Sequence, residues 1–98
     1  MSFPFALQSN SIIGVVHLAP LPGSPGYRGS RQQILDSALA DAQTLIDGGV
    51  SGLIVENFGD APFTPTTVEP TTVAEMSVLV GAICQLAGSL PVGVNVLR

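Results

Sequence analysis

The chain has 98 residues, 46% of them apolar and only 10% charged, with three basic against seven acidic side chains and a formal net charge of -4. Three basic residues cannot neutralise a run of phosphates, which excludes broad nucleic-acid binding. The apolar excess is the reverse of a disordered composition, and the single cysteine excludes an internal disulfide framework and a Cys-rich zinc site.

In chain order the pattern is strand, helix, strand, helix, strand. Ile12 to Val16 is a short β-branched run bounded by polar residues and a Pro-rich loop, and it reads as a buried strand near 12–17. Ser30 with Gln33 has capping-box spacing. It opens a helix near 31–47 whose apolar stripe is Ile34, Leu35, Ala38, Leu39, Ala42, Leu45 and Ile46, and Gly48-Gly49 supplies the stop. A second buried strand near 52–57 is centred on Leu53-Ile-Val55 and ends at Glu56-Asn57. Thr72 with Glu75 forms a second capping box, with Pro70 just outside, and predicts a helix near 72–87. Its stripe is Val73, Met76, Leu79, Val80, Ile83 and Ala87, closed by Gly88, and Cys84 within it reads as a buried core residue. A third strand follows near 92–97.

Strands alternating with single helices predict an α/β fold with a parallel sheet and right-handed crossovers. The strand-to-helix loops, 17–29 and 58–71, are long, and the helix-to-strand loops are short. In α/β folds the site is built from loops at the carboxyl ends of the strands. Three strands leave an uncharged third strand as an open apolar edge, which proteins normally avoid. The 98 residues are therefore expected to be the opening part of one larger domain, the first three strands of a (β/α)8 barrel, which needs about 250 residues.

Two uncharged runs raise the question of a membrane. Met1–Tyr27 lacks a basic leader region and is interrupted by Pro20, Pro22 and Pro25, so it is a poor signal peptide. Met76–Leu97 is long enough to span a bilayer, but Gly88-Ser-Leu-Pro91 divides it, and a buried helix followed by a buried strand explains it better. The expected location is the cytoplasm.

No GxxxxGKS loop, GxGxxG fingerprint, HExxH pair or EF-hand loop is present. The candidates are instead polar residues at the strand exits. His17, the only histidine, ends the first strand, where it can serve as base, ligand or orienting donor, or simply fix its loop by a hydrogen bond. Glu56 ends an apolar run where an ionised carboxylate is costly unless paired. It suits acid/base work, or else an ion pair with Arg28 or Arg98. Asn57, Gly59 and Asp60 are turn formers as readily as binding residues. Asn95 faces opposite to Val94 and Val96 by strand alternation, and Arg98 can hold an anion. These residues assign neither a metal nor a cofactor.

Three segments resemble one family. Ile13-Gly-Val-Val-His-Leu-Ala-Pro-Leu-Pro-Gly-Ser-Pro25, Gly48-Gly-Val-Ser-Gly-Leu-Ile-Val-Glu-Asn-Phe-Gly-Asp-Ala-Pro-Phe63 and Pro91-Val-Gly-Val-Asn-Val-Leu-Arg98 are similar, in that order, to signatures of the BtpA family. The resemblance covers about Ser11 to Arg98 and implies a TIM barrel without an assigned reaction. His17, Glu56, Asn57, Asp60, Asn95 and Arg98 match the family pattern. The first functional expectation, resting on these strand-exit residues, is an enzyme of unassigned reaction acting on a small polar or anionic substrate. In it Glu56 is acid/base, His17 a second proton-transfer or binding group, and Asn57, Asp60, Asn95 and Arg98 bind substrate. The resemblance also implies a link to photosystem I biogenesis in photosynthetic relatives, with peripheral association at the thylakoid membrane. Members occur in organisms without photosynthesis, so that role is not the general activity. The alternatives are a non-catalytic photosystem I assembly factor and an inactive truncated piece. Of partners, a small molecule, a membrane surface and a further copy of the chain stay open, and nucleic acid is excluded.

Overall fold

The computed structural model describes residues 10–61 and 68–97. Three strands, β1 (Ile13–His17), β2 (Gly52–Glu56) and β3 (Val92–Asn95), form one parallel sheet in the order β1-β2-β3. Helices α1 (Arg31–Asp47) and α2 (Pro70–Ala87) connect them, and a single 3-10 turn, Phe58–Asp60, follows β2. The parallel α/β alternation is as the sequence predicts.

Both helices lie on one face of the sheet. Val16, Leu53 and Val55 point into the core there and meet Ile34, Ala38 and Ala42 of α1 and Met76, Leu79 and Ile83 of α2. Leu18 and Leu21, from the loop after β1, close the core at the carboxyl ends of the strands. The two helices are also linked at their amino-terminal ends, where Arg31 Nε donates to Glu75 Oε1 at 2.8 Å. That contact raises the Arg31 pKa above its already high ordinary value, through the hydrogen bond first and the charge second.

α1 begins as its sequence predicts. Ser30 is extended, and its Oγ accepts from the Gln33 backbone N–H at 3.1 Å. That satisfies one of the amide groups a helix start leaves open. Ser30→Ala is expected to cost about 1 kcal/mol, read as a lowered urea midpoint with an unchanged slope, and Ser30→Asp should restore most of it. The helix ends on Gly48, and Gly49 leaves it at φ 91°, a left-handed conformation that suits glycine.

α2 differs from expectation at its start. It begins at Pro70, with Glu69 as the flanking residue, and both Thr72 and Val73 donate their backbone N–H groups to Glu69 O. Proline at the first helical position needs no N–H and already has a helical φ, so it extends the helix two residues before the Thr72-Glu75 pair. Glu75 is then inside the helix and bonds Arg31 instead. Cys84 is exposed, not buried. It stands about 100° around the helix from Ile83, which holds the core position. Val73 is exposed on the same side of the helix as Cys84. By length and composition Pro70–Ala87 could cross a membrane, yet its Met76, Leu79 and Ile83 face is packed into the core.

β3 stops at Asn95, two residues before the expected end, because the backbone of Leu97 is bonded to a side chain rather than to a strand. On the face away from the helices, Ile13 and Val15 are partly exposed.

Candidate functional site

Parallel register sets the first feature. His17 pairs with Glu56 and Glu56 with Asn95, so the last residues of the three strands stand in one row across the sheet. Strand alternation puts Val16, Val55 and Val94 on the helix side, and His17, Glu56 and Asn95 therefore project from the uncovered face. Asn95 Nδ2 donates to Glu56 Oε2 at 3.0 Å. The other carboxylate oxygen, Oε1, lies 3.7 Å from His17 Nε2. The His17 side chain is 54% exposed and that of Glu56 19%. Among the described residues the partners of Glu56 are thus His17 and Asn95, not Arg28.

A residue that the sequence did not single out completes the row. The Phe58 ring stacks on the His17 imidazole, with centroids 4.7 Å apart and planes 23° from parallel. Its signal in the sequence is an aromatic residue two positions after a candidate carboxylate, but the contact crosses between strands, and no local pattern announces it.

The second feature lies on the opposite side of the sheet. Asn57 follows Glu56, so its side chain turns inward, and the residue is 2% exposed. Its Oδ1 accepts from Leu97 N at 2.6 Å and its Nδ2 donates to Leu97 O at 3.0 Å. A side-chain amide therefore takes the place of a backbone unit and extends the β2–β3 pairing past Asn95. The second Nδ2 hydrogen goes to Asp60 Oδ2 at 3.1 Å, and Asp60 Oδ1 accepts from Leu21 N at 2.9 Å. Two side chains thus join the exit of β2 to the end of β3 and to the loop after β1. Both donor hydrogens of Asn57 are used inside the chain.

Gly59 makes a third link. Its N–H donates to Leu18 O at 3.1 Å, and Leu18 N in turn donates to Glu56 O at 2.9 Å. A cleft of about 460 Å³ opens beside this frame, bordered by Pro22–Pro25, Asn57, Asp60 and the start of α2 at Glu69, Thr71 and Thr72. Of the residues expected at a site, His17, Glu56 and Asn95 come together in the row, and Asn57 and Asp60 come together at the cleft. Arg98 lies outside the described residues. No group of three or more His, Cys, Asp or Glu suited to a metal occurs among the described residues.

The chain is 47% identical over 92 residues to an uncharacterized protein of Pyrococcus abyssi, a match covering 94% of this chain and 35% of the relative. It is 51% identical over 91 residues to an uncharacterized protein of Thermococcus kodakarensis, covering 93% and 34%. It is 46% identical over 89 residues to the photosystem I biogenesis protein BtpA of Synechocystis, covering 91% and 31%. The chain therefore spans about a third of the length of the curated relatives it matches. No solved structure matches. With its three signatures in order and the family profile matched over residues 8–98, the chain belongs to the BtpA family.

Proposed function

We propose that the chain forms the opening βα units of a (β/α)8-barrel enzyme and that the row His17, Glu56 and Asn95 is part of its active site. Three observations support the barrel. The strands follow one another in sequence order, both helices cover the same face, and the elaborated loops gather at the carboxyl ends. A doubly wound sheet would instead carry helices on both faces. In a barrel the uncovered face turns toward the axis, and the catalytic residues come from the ends of several strands.

The observation that carries the functional reading is the register that brings a histidine, a carboxylate and an amide to the same level on that face. The chemistry it suits is proton transfer on a small polar or anionic substrate. Asn95 fixes one oxygen of Glu56 and leaves Oε1 facing the imidazole, so the carboxylate can act as acid or base and His17 as the second proton-transfer group. Asn57 serves the site through the frame it holds, Asp60 meets a substrate where it borders the cleft, and Arg98 keeps the anion-binding role its place in the sequence motif suggests.

The test is a thermal-shift screen of the full-length protein against a panel of small polar and anionic metabolites. Stabilisation of the wild type by some compounds, lost in Glu56→Gln without a change in the unliganded Tm, is the expected result. A Glu56→Gln variant that melts far lower without ligand, or that responds to the same compounds, would show that the carboxylate is structural.

A second reading, a non-catalytic assembly factor for photosystem I, is favoured by the name of the Synechocystis relative. It is distinguished by carrying Glu56→Gln and His17→Gln onto the matching positions of that relative. Photosystem I levels that stay unchanged with both favour the assembly factor, and levels that fall while the protein stays folded favour the enzyme.

A further inference from the structure

Phe58 sits on the rim with 56% of its surface exposed, and an aromatic ring in that position is not explained by core packing. Its contact is the His17 imidazole, stacked nearly parallel at 4.7 Å. The 3-10 turn that carries it is held from beneath by the Asn57 to Asp60 link and by Gly59 on Leu18 O. The ring is therefore presented by a turn that is tied to the loop leaving His17. Neither nitrogen of His17 makes a hydrogen bond among the described residues, and Nε2 reaches only 3.7 Å from Glu56. A half-exposed imidazole held by one long contact would rotate freely about its side-chain torsions. The stack removes that freedom, because offset aromatic pairs have a preferred separation and tilt.

We infer that Phe58 is a positioning residue for His17. It fixes the imidazole plane, and within that plane the Glu56 contact keeps Nε2 turned to the carboxylate and leaves Nδ1 as the ring nitrogen open to a ligand. This rests on the proposed role of the row. In that role Phe58 sets the ring plane, and the Glu56 contact sets which nitrogen a substrate meets. One face of the imidazole is closed by the stack, so a substrate approaches from the other face or along the Nδ1 edge.

The experiment is proton–carbon NMR of the histidine rings in the full-length protein, with His17 assigned from the signal lost in His17→Gln. Phe58→Leu keeps an apolar side chain and removes the ring, and Phe58→Tyr keeps the ring. In Phe58→Leu the His17 ring-proton signals are expected to move downfield as the ring-current shielding disappears, and the rate of His17 modification by diethyl pyrocarbonate to rise severalfold. Phe58→Tyr should match the wild type in both readouts. Unchanged His17 signals in Phe58→Leu, or equal loss in both variants, would overturn the inference. The metabolite screen separates this from failure of the proposed function. If Phe58→Leu moves the His17 signals but Glu56→Gln loses no ligand response, the stack stands and the catalytic reading falls. If Glu56→Gln loses the response and Phe58→Leu moves nothing, the catalytic reading stands and the positioning role falls.

Discussion

Asn57→Ala is expected to lower the stability of the full-length protein by about 2–4 kcal/mol, among the larger effects of any single change here. The truncation leaves the N–H and C=O of Leu97 and Oδ2 of Asp60 without the partners they have now. Each part-buried group that loses its hydrogen bond costs about 1–3 kcal/mol unless water replaces the partner. The urea midpoint should fall with an unchanged slope, because the surface exposed on unfolding is the same. Asn57→Asp separates geometry from mere occupancy. A carboxylate has nearly the same shape but cannot donate to Leu97 O, and it faces the Asp60 carboxylate. The new carboxyl group is charged at a cost in the folded state, so its folded pKa is raised above its unfolded value. The folded form then binds more protons than the unfolded one, and the stability of this variant falls as pH rises through the carboxylate range. The wild type has no carboxyl group at position 57 to contribute that slope. A loss below about 1 kcal/mol in Asn57→Ala would mean that water fills the amide's place and that the link between strand exits is not a structural necessity.

The same amide explains where the sequence was readable and where it was not. The stripe of α1 and its Ser30 cap depend on spacing within one helix, and the structure has both. That His17, Glu56 and Asn95 lie toward the exits of apolar strands was legible, but their common level was not: strands near 12–17, 52–57 and 92–97 set His17 level with Asn57, whereas the register pairs it with Glu56 and Glu56 with Asn95. Nor was the end of β3. Val96 and Leu97 have strand character, but Leu97 is bonded by a side chain 40 residues earlier in the chain, and no local pattern encodes a partner at that distance. The start of α2 was ambiguous because two legitimate signals compete within three residues, a proline that suits the first helical position and a Thr-x-x-Glu box. The proline prevailed, and Glu75 was left free to bond Arg31. Cys84 was misplaced for a different reason. α2 is apolar on more than one side, so periodicity alone does not show which side faces the sheet.

Gly59 shows how closely the frame constrains the row. A Cβ built on it would stand 2.6 Å from Leu18 O, 2.7 Å from Pro20 N and 2.9 Å from Ala19 C, all of them backbone atoms. Side-chain repacking cannot relieve such contacts, so Gly59→Ala must push the loop after β1 away from the turn after β2. Overpacking a tight site costs about 1–3 kcal/mol and occasionally more, and three backbone contacts put this change at the upper end. The loop that moves begins at Leu18, the residue after His17, and Leu18 O is the acceptor of the Gly59 N–H. The substitution therefore acts on the row without touching it. Gly23→Ala is the matched control. Gly23 lies in the same loop, and its φ of 93° makes a side chain strained, at a cost of roughly 1–2 kcal/mol, but a Cβ there meets nothing within 4 Å. Both variants should lose stability, but only Gly59→Ala should also shift the His17 ring-proton signals. Equal His17 shifts in the two variants would mean that the loop transmits any disturbance to the rim, and that the close contact at Gly59 has no special part in holding His17 against Glu56.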